Sequence, residues 1–156
     1  MRLQVSTRLA IFAVLELAAR EGSQLSVAEI GEKYGVSSHH LAKVMHVLGR
    51  AGLVRSVRGA GGGYQFAGNA RRMTLLDVAQ LFEDLNSVEQ GAADATREEQ
   101  TLSDVLGEID DIARATLGSI TIATMRKLVD RRAAAGSRNA EAGSSRRKGA
   151  PLRPVR

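Results

Sequence analysis

The first 52 positions alternate between apolar runs and short polar breaks, a pattern that predicts three helices. The first covers residues 4–20, and its apolar side chains are spread too widely for one narrow stripe, which predicts burial on more than one side. The second opens with Ser26 and Glu29, spaced as a capping box. It ends near Gly35, which suits the left-handed conformation that closes a helix.

The third helix is predicted to begin after Ser37, a good N-cap, and to run to about Ala51 with Gly52 just beyond it. The connection between the second and third helices is therefore short and contains a glycine. A short helix, a tight turn with glycine and a longer helix form the arrangement of a helix-turn-helix.

A hairpin is predicted to follow the third helix. Residues 53–57 and 64–67 have the composition of short strands, and glycines crowd the positions between them. A fourth helix is expected from Thr74, another capping residue, to about Leu85. The predicted fold class is therefore mainly α: residues 1–85 form a winged helix-turn-helix head with a two-stranded β-wing.

The second half of the chain is predicted to contain a loop, two helices and a tail. Residues 86–99 are polar and acidic, as in a loop, and residues 100–132 form the predicted dimerisation helices. The longer of these helices carries an apolar stripe at three- and four-residue spacing, made of Leu102, Val105, Leu106, Ile109, Ile112 and Leu117. The basic tail, residues 133–156, is expected to be disordered from about Ala135 because it can bury little apolar surface.

Charge is distributed unevenly along the 156 residues, whose formal net charge is +5. Residues 1–72 hold ten Lys/Arg and four Asp/Glu, residues 73–130 hold four and twelve, and residues 131–156 hold eight and one. Residues 33–72 contain seven basic residues and no acidic one. A basic patch of this kind is suited to phosphate, whereas the basic tail alone would be weak evidence for a polyanion partner.

The third helix separates an apolar face from a donor face. At about 100° per residue, the apolar face consists of Leu41, Val44, Met45 and Leu48. The donor face opposite consists of His39, Lys43, His46 and Arg50. This pattern is typical of a recognition helix in the major groove, with Ser38, His39 and His40 near base edges and Lys43 and Arg50 near phosphates. An amphipathic helix with a solvated basic face is the alternative.

The predicted hairpin tip favours the DNA-binding interpretation, because it places Arg58 beside four glycines within five positions. Such a tip can approach a surface closely, as minor-groove or phosphate contact requires. A flexible tip without a binding role is the alternative. The glycine run lacks both the Gly-Lys-Ser/Thr of a phosphate-binding loop and the Gly-x-Gly-x-x-Gly spacing, so no ATP or NAD site is predicted.

The apolar stripe also has two interpretations: it packs within its own subunit or against a second copy of the chain. A small basic head followed by a separate long helix favours the homodimer, because the head offers the stripe no obvious partner. A dimer would carry two reading heads and bind a pseudo-palindromic site.

Residues that could support catalysis or metal binding are few. The chain has no cysteine, which excludes disulfides, thiolate metal sites and a cysteine nucleophile. His39 and His46 lie roughly 10 Å apart along the helix axis, too far for one ion. The carboxylates Asp104, Glu108 and Asp111 share one helical face and are interpreted as its solvated side. No enzyme, catalytic residue or metal site is predicted.

Several segments resemble the Rrf2 family, the IscR/NsrR-type winged helix-turn-helix transcriptional regulators. They are residues 1–3, the turn at residues 35–37, the start of the last helix at residues 119–122 and, most specifically, the wing sequence at residues 52–64. The resemblance covers roughly residues 1–132 and leaves the tail unmatched. It implies a homodimer that binds operator DNA, with base contacts at Ser37, His39 and His40 and a minor-groove contact at Arg58. The complete set of predicted DNA-binding residues is Ser37, Ser38, His39, His40, Lys43, His46, Arg50, Arg58, Gly59, Gly61, Gly62 and Tyr64.

The chain departs from the sensors of this family at two places. Members that sense iron–sulfur status or nitric oxide hold a cluster with three cysteines before the long helix, where residues 86–103 contain none. Nitric-oxide sensors also resemble one another in an acidic ligand on the first helix, where this chain has Arg8. A cationic side chain would oppose metal binding, so the resemblance implies a member without this sensor, and no cofactor is predicted.

The sequence therefore predicts a sequence-specific DNA-binding transcriptional regulator, with repression as the expected mode and double-stranded DNA and a second copy as partners. A cytoplasmic location is expected because no signal sequence or membrane-length apolar run is present. The alternative is a winged-helix protein-interaction module whose basic tail binds nucleic acid non-specifically. A third hypothesis is a repressor whose small-molecule effector occupies the region of the missing cluster.

Overall fold

The computed structural model describes residues 3–83 and 95–147. Its elements in chain order are α1 (Val5–Ala19), α2 (Val27–Tyr34), α3 (Ser38–Arg50), β1 (Val54–Val57), β2 (Gly63–Phe66), α4 (Leu75–Ala79), α5 (Arg97–Ser119) and α6 (Ile122–Arg147). Helices dominate, and the two strands form one antiparallel sheet, as the sequence predicted. Within the described residues, no helix is long and apolar enough to cross a membrane.

Helix α1 lies at the centre of the core and contacts α3, α4, α6 and β2. Its buried residues face several directions, as predicted: Thr7, Leu9, Ala10, Ile11, Ala13, Val14, Leu15, Leu17 and Ala18. The predicted apolar face of α3 is buried as well, with Met45 and Leu48 fully inaccessible to solvent. One apolar core therefore supports the helix-turn-helix, the wing and the start of α6 together.

The helix-turn-helix is defined by local caps that the sequence predicted. Ser26 Oγ accepts the Glu29 N–H at 3.1 Å, and the Glu29 carboxylate accepts the Ser26 N–H at 2.7 Å. Gly35 closes α2 with a φ of +64°, a left-handed conformation that suits glycine. Ser37 Oγ then accepts the His40 N–H at 3.3 Å and starts α3. These bonds fix the turn between the two helices.

The wing is a hairpin in which Val54 pairs with Phe66 and Val57 pairs with Gly63. The connector between α1 and α2 joins this sheet, because Leu25 and Tyr64 exchange backbone hydrogen bonds of 3.0 and 2.8 Å. This third partner of the wing was not predicted from the sequence. Leu25 is buried, so the contact also seals the core beside the sheet.

Helix α4 ends at Ala79, earlier than the predicted end near Leu85, a residue outside the described part of the chain. The chain turns because the Leu81 and Phe82 side chains pack against the core. Glu83 then caps the start of α1: its carboxylate accepts the Gln4 N–H at 2.7 Å and the buried Thr7 hydroxyl at 2.6 Å. A straight continuation of the helix would forfeit these contacts.

Both long helices extend beyond their predicted limits. Thr96 and Glu99 form a capping box, so α5 begins at Arg97 inside the predicted loop 86–99; residues 86–94 of that loop lie outside the described part. Helix α6 continues to Arg147, whereas an end near residue 132 and disorder from Ala135 were expected. Alanines at positions 133–135 have the highest helix propensity, which favours continuation even without burial. Residues 148–156 of the predicted tail are also outside the described part.

The segment before α4 is bonded to the corner between α5 and α6. The Leu75 N–H donates to the Ile120 carbonyl at 2.9 Å, and the Ile122 N–H donates to the Met73 carbonyl at 2.8 Å. Ile122 is completely buried at this corner. The long helices are therefore attached to the head by backbone hydrogen bonds as well as by packing.

Candidate nucleic-acid interface

The donor face of α3 is presented to solvent as the sequence predicted. His39, Lys43, His46 and Arg50 are all exposed, while the opposite face of the helix is buried in the core. These four side chains span roughly 16 Å along the helix axis. The structure thus brings imidazole, ammonium and guanidinium donors together on one accessible surface.

The residues at the start of α3 occupy different positions from one another. Ser38 is exposed, and Ser37 is exposed but uses its hydroxyl oxygen as the N-cap acceptor. His40 is half-buried, and its Nε2 is buried without a hydrogen-bond partner among the described residues. A helical rotation of about 100° per residue places His40 on the flank between the two faces. The structure therefore does not bring His40 onto the donor face.

The wing tip, residues 58–62, carries Arg58 in an exposed position. Gly59 and Gly61 have φ angles of +117° and +75°, which disfavour any residue with a side chain. At Gly62 a Cβ would lie 2.7 Å from the Val57 carbonyl oxygen, so the backbone allows no side chain there either. The glycines give the tip a compact turn, closed by a 2.9 Å bond from the Gly62 N–H to the Gly59 carbonyl.

Tyr64, a predicted DNA contact, is half-buried and packs against the core beside the Leu25 bridge. The exposed surface of the wing instead carries a cross-strand pair, in which the Arg55 guanidinium donates to Gln65 Oε1 at 2.8 and 3.0 Å. Gln65 Nε2 donates onward to the Gly22 carbonyl at 3.4 Å. These contacts connect the wing to the connector between α1 and α2.

A polar cluster also holds α2 against α1. The half-buried Glu16 carboxylate accepts hydrogen bonds from Lys33 and, at 2.7 Å, from the Tyr34 hydroxyl, whose ring stacks on Phe12. Burial alone would raise the pKa of Glu16, but the two hydrogen bonds lower it below its ordinary value. Burial and the Glu16 carboxylate raise the pKa of Tyr34. At neutral pH the cluster is therefore an ionised carboxylate bonded to an ammonium and a protonated phenol.

The apolar stripe of α5 divides in two. Leu117, a sixth member of the predicted stripe, is half-buried and packs against the core of its own head. Leu102, Val105, Leu106, Ile109 and Ile112 are each at least 50% exposed. Leu128 and Val129 of α6 are also exposed.

A winged helix-turn-helix with an exposed donor face on α3 is typical of a class of transcriptional regulators. Residues 3–127 match the sequence profile of the Rrf2 family, which is described as an iron-dependent transcriptional regulator. The chain is a member of the Rrf2 family, and the resemblance inferred from its sequence is confirmed. The names in this family indicate a transcriptional regulator, a class that generally does not catalyse a reaction.

Similar proteins carry related names. The chain is 50% identical over 131 residues to BadM of Rhodopseudomonas palustris, which is named as an HTH-type transcriptional regulator, and the match covers 83% of this chain and 84% of BadM. Among solved structures, CymR, described as the global cysteine regulator of B. subtilis, is 25% identical with a TM-score of 0.68, covering 82% of this chain and 98% of CymR. IscR of T. potens is 29% identical with a TM-score of 0.64, covering 83% and 88%. These neighbours confirm the winged-helix fold class.

The iron in the family description does not fit the residues that the structure describes. Thiolate ligands are missing, because the sequence has no cysteine. The described ranges contain no group of three or more histidine, aspartate or glutamate side chains that could hold a metal ion. Arg8 is exposed on α1, where its positive charge would repel a cation.

Proposed function

We propose that the chain is a sequence-specific DNA-binding repressor that acts as a homodimer on a pseudo-palindromic operator. The observation that carries this proposal is the donor face of α3, exposed along its length and rigidly backed by the core. A helix of this kind fits the major groove, where side-chain donors and acceptors can distinguish all four base pairs.

The charge of the head supports separate roles for the side chains that contact phosphates and those that contact bases. Lys43 and Arg50 supply cations for phosphates, while Ser38 and His39 at the start of α3 are proposed to meet base edges. Arg58 is proposed to enter the adjacent minor groove from the wing tip. The wing and α3 share the α1 core, so both can contact one duplex at fixed relative positions.

The exposed part of the apolar stripe supports the homodimer. Five large apolar side chains on one face of α5 are at least half exposed, because none of the residues that the structure describes covers them. A second copy of α5 would bury both stripes at once in a self-complementary interface. The dimer would present two α3 helices, and its occupancy of an operator would block the transcription machinery, which is why repression is the proposed mode.

Selection of the 156-residue chain against random-sequence duplexes tests the proposed specificity. The expected product is a motif with two-fold symmetry whose half-sites lie about one helical turn, or a multiple of it, apart. Enrichment of no motif would contradict sequence-specific binding and favour the protein-interaction module.

Arg58→Ala and Lys43→Ala should weaken DNA binding in different ways. Arg58→Ala is expected to cost about 1–3 kcal/mol on the selected operator and to relax the preference at one position. Lys43→Ala should weaken operator and unrelated DNA alike and flatten the salt dependence by about one unit of slope. Fluorescence anisotropy over a salt series measures both, with Arg97→Ala on α5 as the control. Uniform losses from Arg58→Ala on every sequence would contradict the minor-groove contact and indicate a phosphate contact instead.

A further inference from the structure

We propose that Gln24 is a positioning residue for DNA binding, whose side-chain amide holds the wing tip in the conformation from which Arg58 contacts the duplex. This inference rests on the proposed function, since it assigns a role to Arg58. Gln24 itself contacts the wing from behind and is not proposed to touch DNA.

The contact joins two segments that are distant in sequence. Gln24 Nε2 donates a hydrogen bond to the carbonyl oxygen of Gly61 at 2.6 Å. The bond originates one residue before Leu25, whose backbone is already paired with Tyr64. The Leu25 pairing holds the neighbouring Gln24 backbone beside the sheet. From there the Gln24 side chain reaches the wing tip.

The wing tip depends on such an external support because its own sequence is permissive. Gly59, Gly61 and Gly62 lack side chains that could pack, and glycine loses more conformational entropy on ordering than any other residue. Within the described backbone contacts, the bond from the Gly62 N–H to the Gly59 carbonyl closes the tip internally. The Gln24 amide adds a bond from outside the hairpin, on the carbonyl between those two glycines.

The expected consequence is preorganisation. If the tip is already ordered in the free protein, DNA binding does not have to order it and loses less conformational entropy. Arg58 is the first residue of the tip, directly after β1 and next to the turn that the Gly59–Gly62 bond closes. If the Gly61 carbonyl loses its external bond, the whole tip, including the Arg58 backbone, is expected to sample more positions. Loss of the Gln24 donor should therefore weaken binding through Arg58.

Gln24→Met tests this role, because methionine keeps the length of the side chain without its amide donor. Affinity for the selected operator is expected to fall about threefold to tenfold, the value of one hydrogen bond. Gln80→Met, at an exposed glutamine following α4, is the matched control and should bind as the unaltered protein does. Unchanged affinity of Gln24→Met would overturn the proposal.

A double-mutant cycle with Arg58→Ala separates positioning from general destabilisation. In the Arg58→Ala background, Gln24→Met is expected to change operator affinity less than about twofold. An equal loss in both backgrounds would show that Gln24 acts without Arg58 and would overturn the positioning role. If Arg58→Ala alone leaves binding unchanged, the wing contact of the proposed function fails, and the role of Gln24 fails with it.

Amide hydrogen exchange of the free protein gives a readout that is independent of DNA. The Gly62 N–H, bonded within the tip, is expected to exchange faster in Gln24→Met, while amides in the α1 core keep their protection. Unchanged exchange at the tip would show that the Gln24 bond does not order it and would contradict the proposal.

Discussion

Replacing Ile109 and Ile112 by glutamine is expected to dissociate the proposed homodimer at concentrations at which the unaltered chain is fully paired. Both side chains lie in the exposed part of the apolar stripe, with 54% and 60% of their surface accessible in the isolated subunit. In a dimer formed through α5, they would be covered by the partner's stripe. Glutamine would place an amide there at the cost of its contacts with water.

The expected size of this effect follows from the symmetry of the dimer. Removing a buried isoleucine side chain costs about 2–5 kcal/mol, and two substitutions create four altered positions per dimer. Even roughly 1 kcal/mol at each position amounts to about a thousandfold in the dimer dissociation constant. Operator affinity should fall by at least about a hundredfold, because a single head lacks the advantage of a linked second site.

The control creates the same residues on the opposite side of α5. Asp104 and Asp111 are exposed acidic residues there, and the Asp104→Gln, Asp111→Gln variant should leave the dimer intact. Sedimentation velocity over a concentration series measures the state of both variants. A stable dimer in the Ile109→Gln, Ile112→Gln variant would show that the apolar stripe is not the interface.

Gly63→Ala is expected to disrupt the pairing between the wing and the connector that contains Leu25. A Cβ on Gly63 would lie 2.4 Å from the Leu25 carbonyl oxygen and 3.0 Å from the Ser26 nitrogen. Both atoms belong to the backbone, so the clash can be relieved only by moving the connector away from the sheet. The Tyr64 N–H bond to Leu25 would then be stretched or lost. Strain of this kind typically costs about 1–3 kcal/mol of unfolding free energy.

Gly49→Ala provides the matched comparison. Gly49 lies in exposed helix near the end of α3, and a Cβ there would meet only the Val54 carbonyl oxygen at 4.0 Å. Replacing a helical glycine by alanine is expected to raise the unfolding free energy by about 0.5–1 kcal/mol. Chemical denaturation followed by circular dichroism should therefore shift the two variants in opposite directions. Equal shifts would contradict the close approach at Gly63.

The elements that sequence analysis predicted best are those defined by neighbours in the chain. The caps at Ser26, Ser37 and Thr74 and the closing glycine Gly35 involve partners within three or four residues, so their spacing alone reveals them. The two faces of α3 follow from helical periodicity in the same way. The half-burial of His40 follows from its angle about the helix axis, which places it between the two faces. Its predicted contact with DNA stays a prediction.

The features that could not be predicted depend on long-range contacts. Glu83 meets Gln4 across 79 positions and Gln24 meets Gly61 across 37, and no periodicity connects such pairs. The early end of α4 and the third partner of the wing both follow from contacts of this kind. The tail differs: alanines favour helix locally, whereas the composition of the whole segment suggested disorder.

The corner between α5 and α6 bears on how the proposed dimer would respond to the spacing between the half-sites of its operator. Because backbone hydrogen bonds of Leu75 and Ile122 join the corner to the head, each α3 is expected to move together with α5 of the same subunit. In the proposed dimer, the protein itself would then set the separation between the two α3 helices. One base pair inserted between half-sites turns them by roughly 35° relative to each other. The dimer would therefore discriminate operators by the spacing of their half-sites as well as by their base sequence.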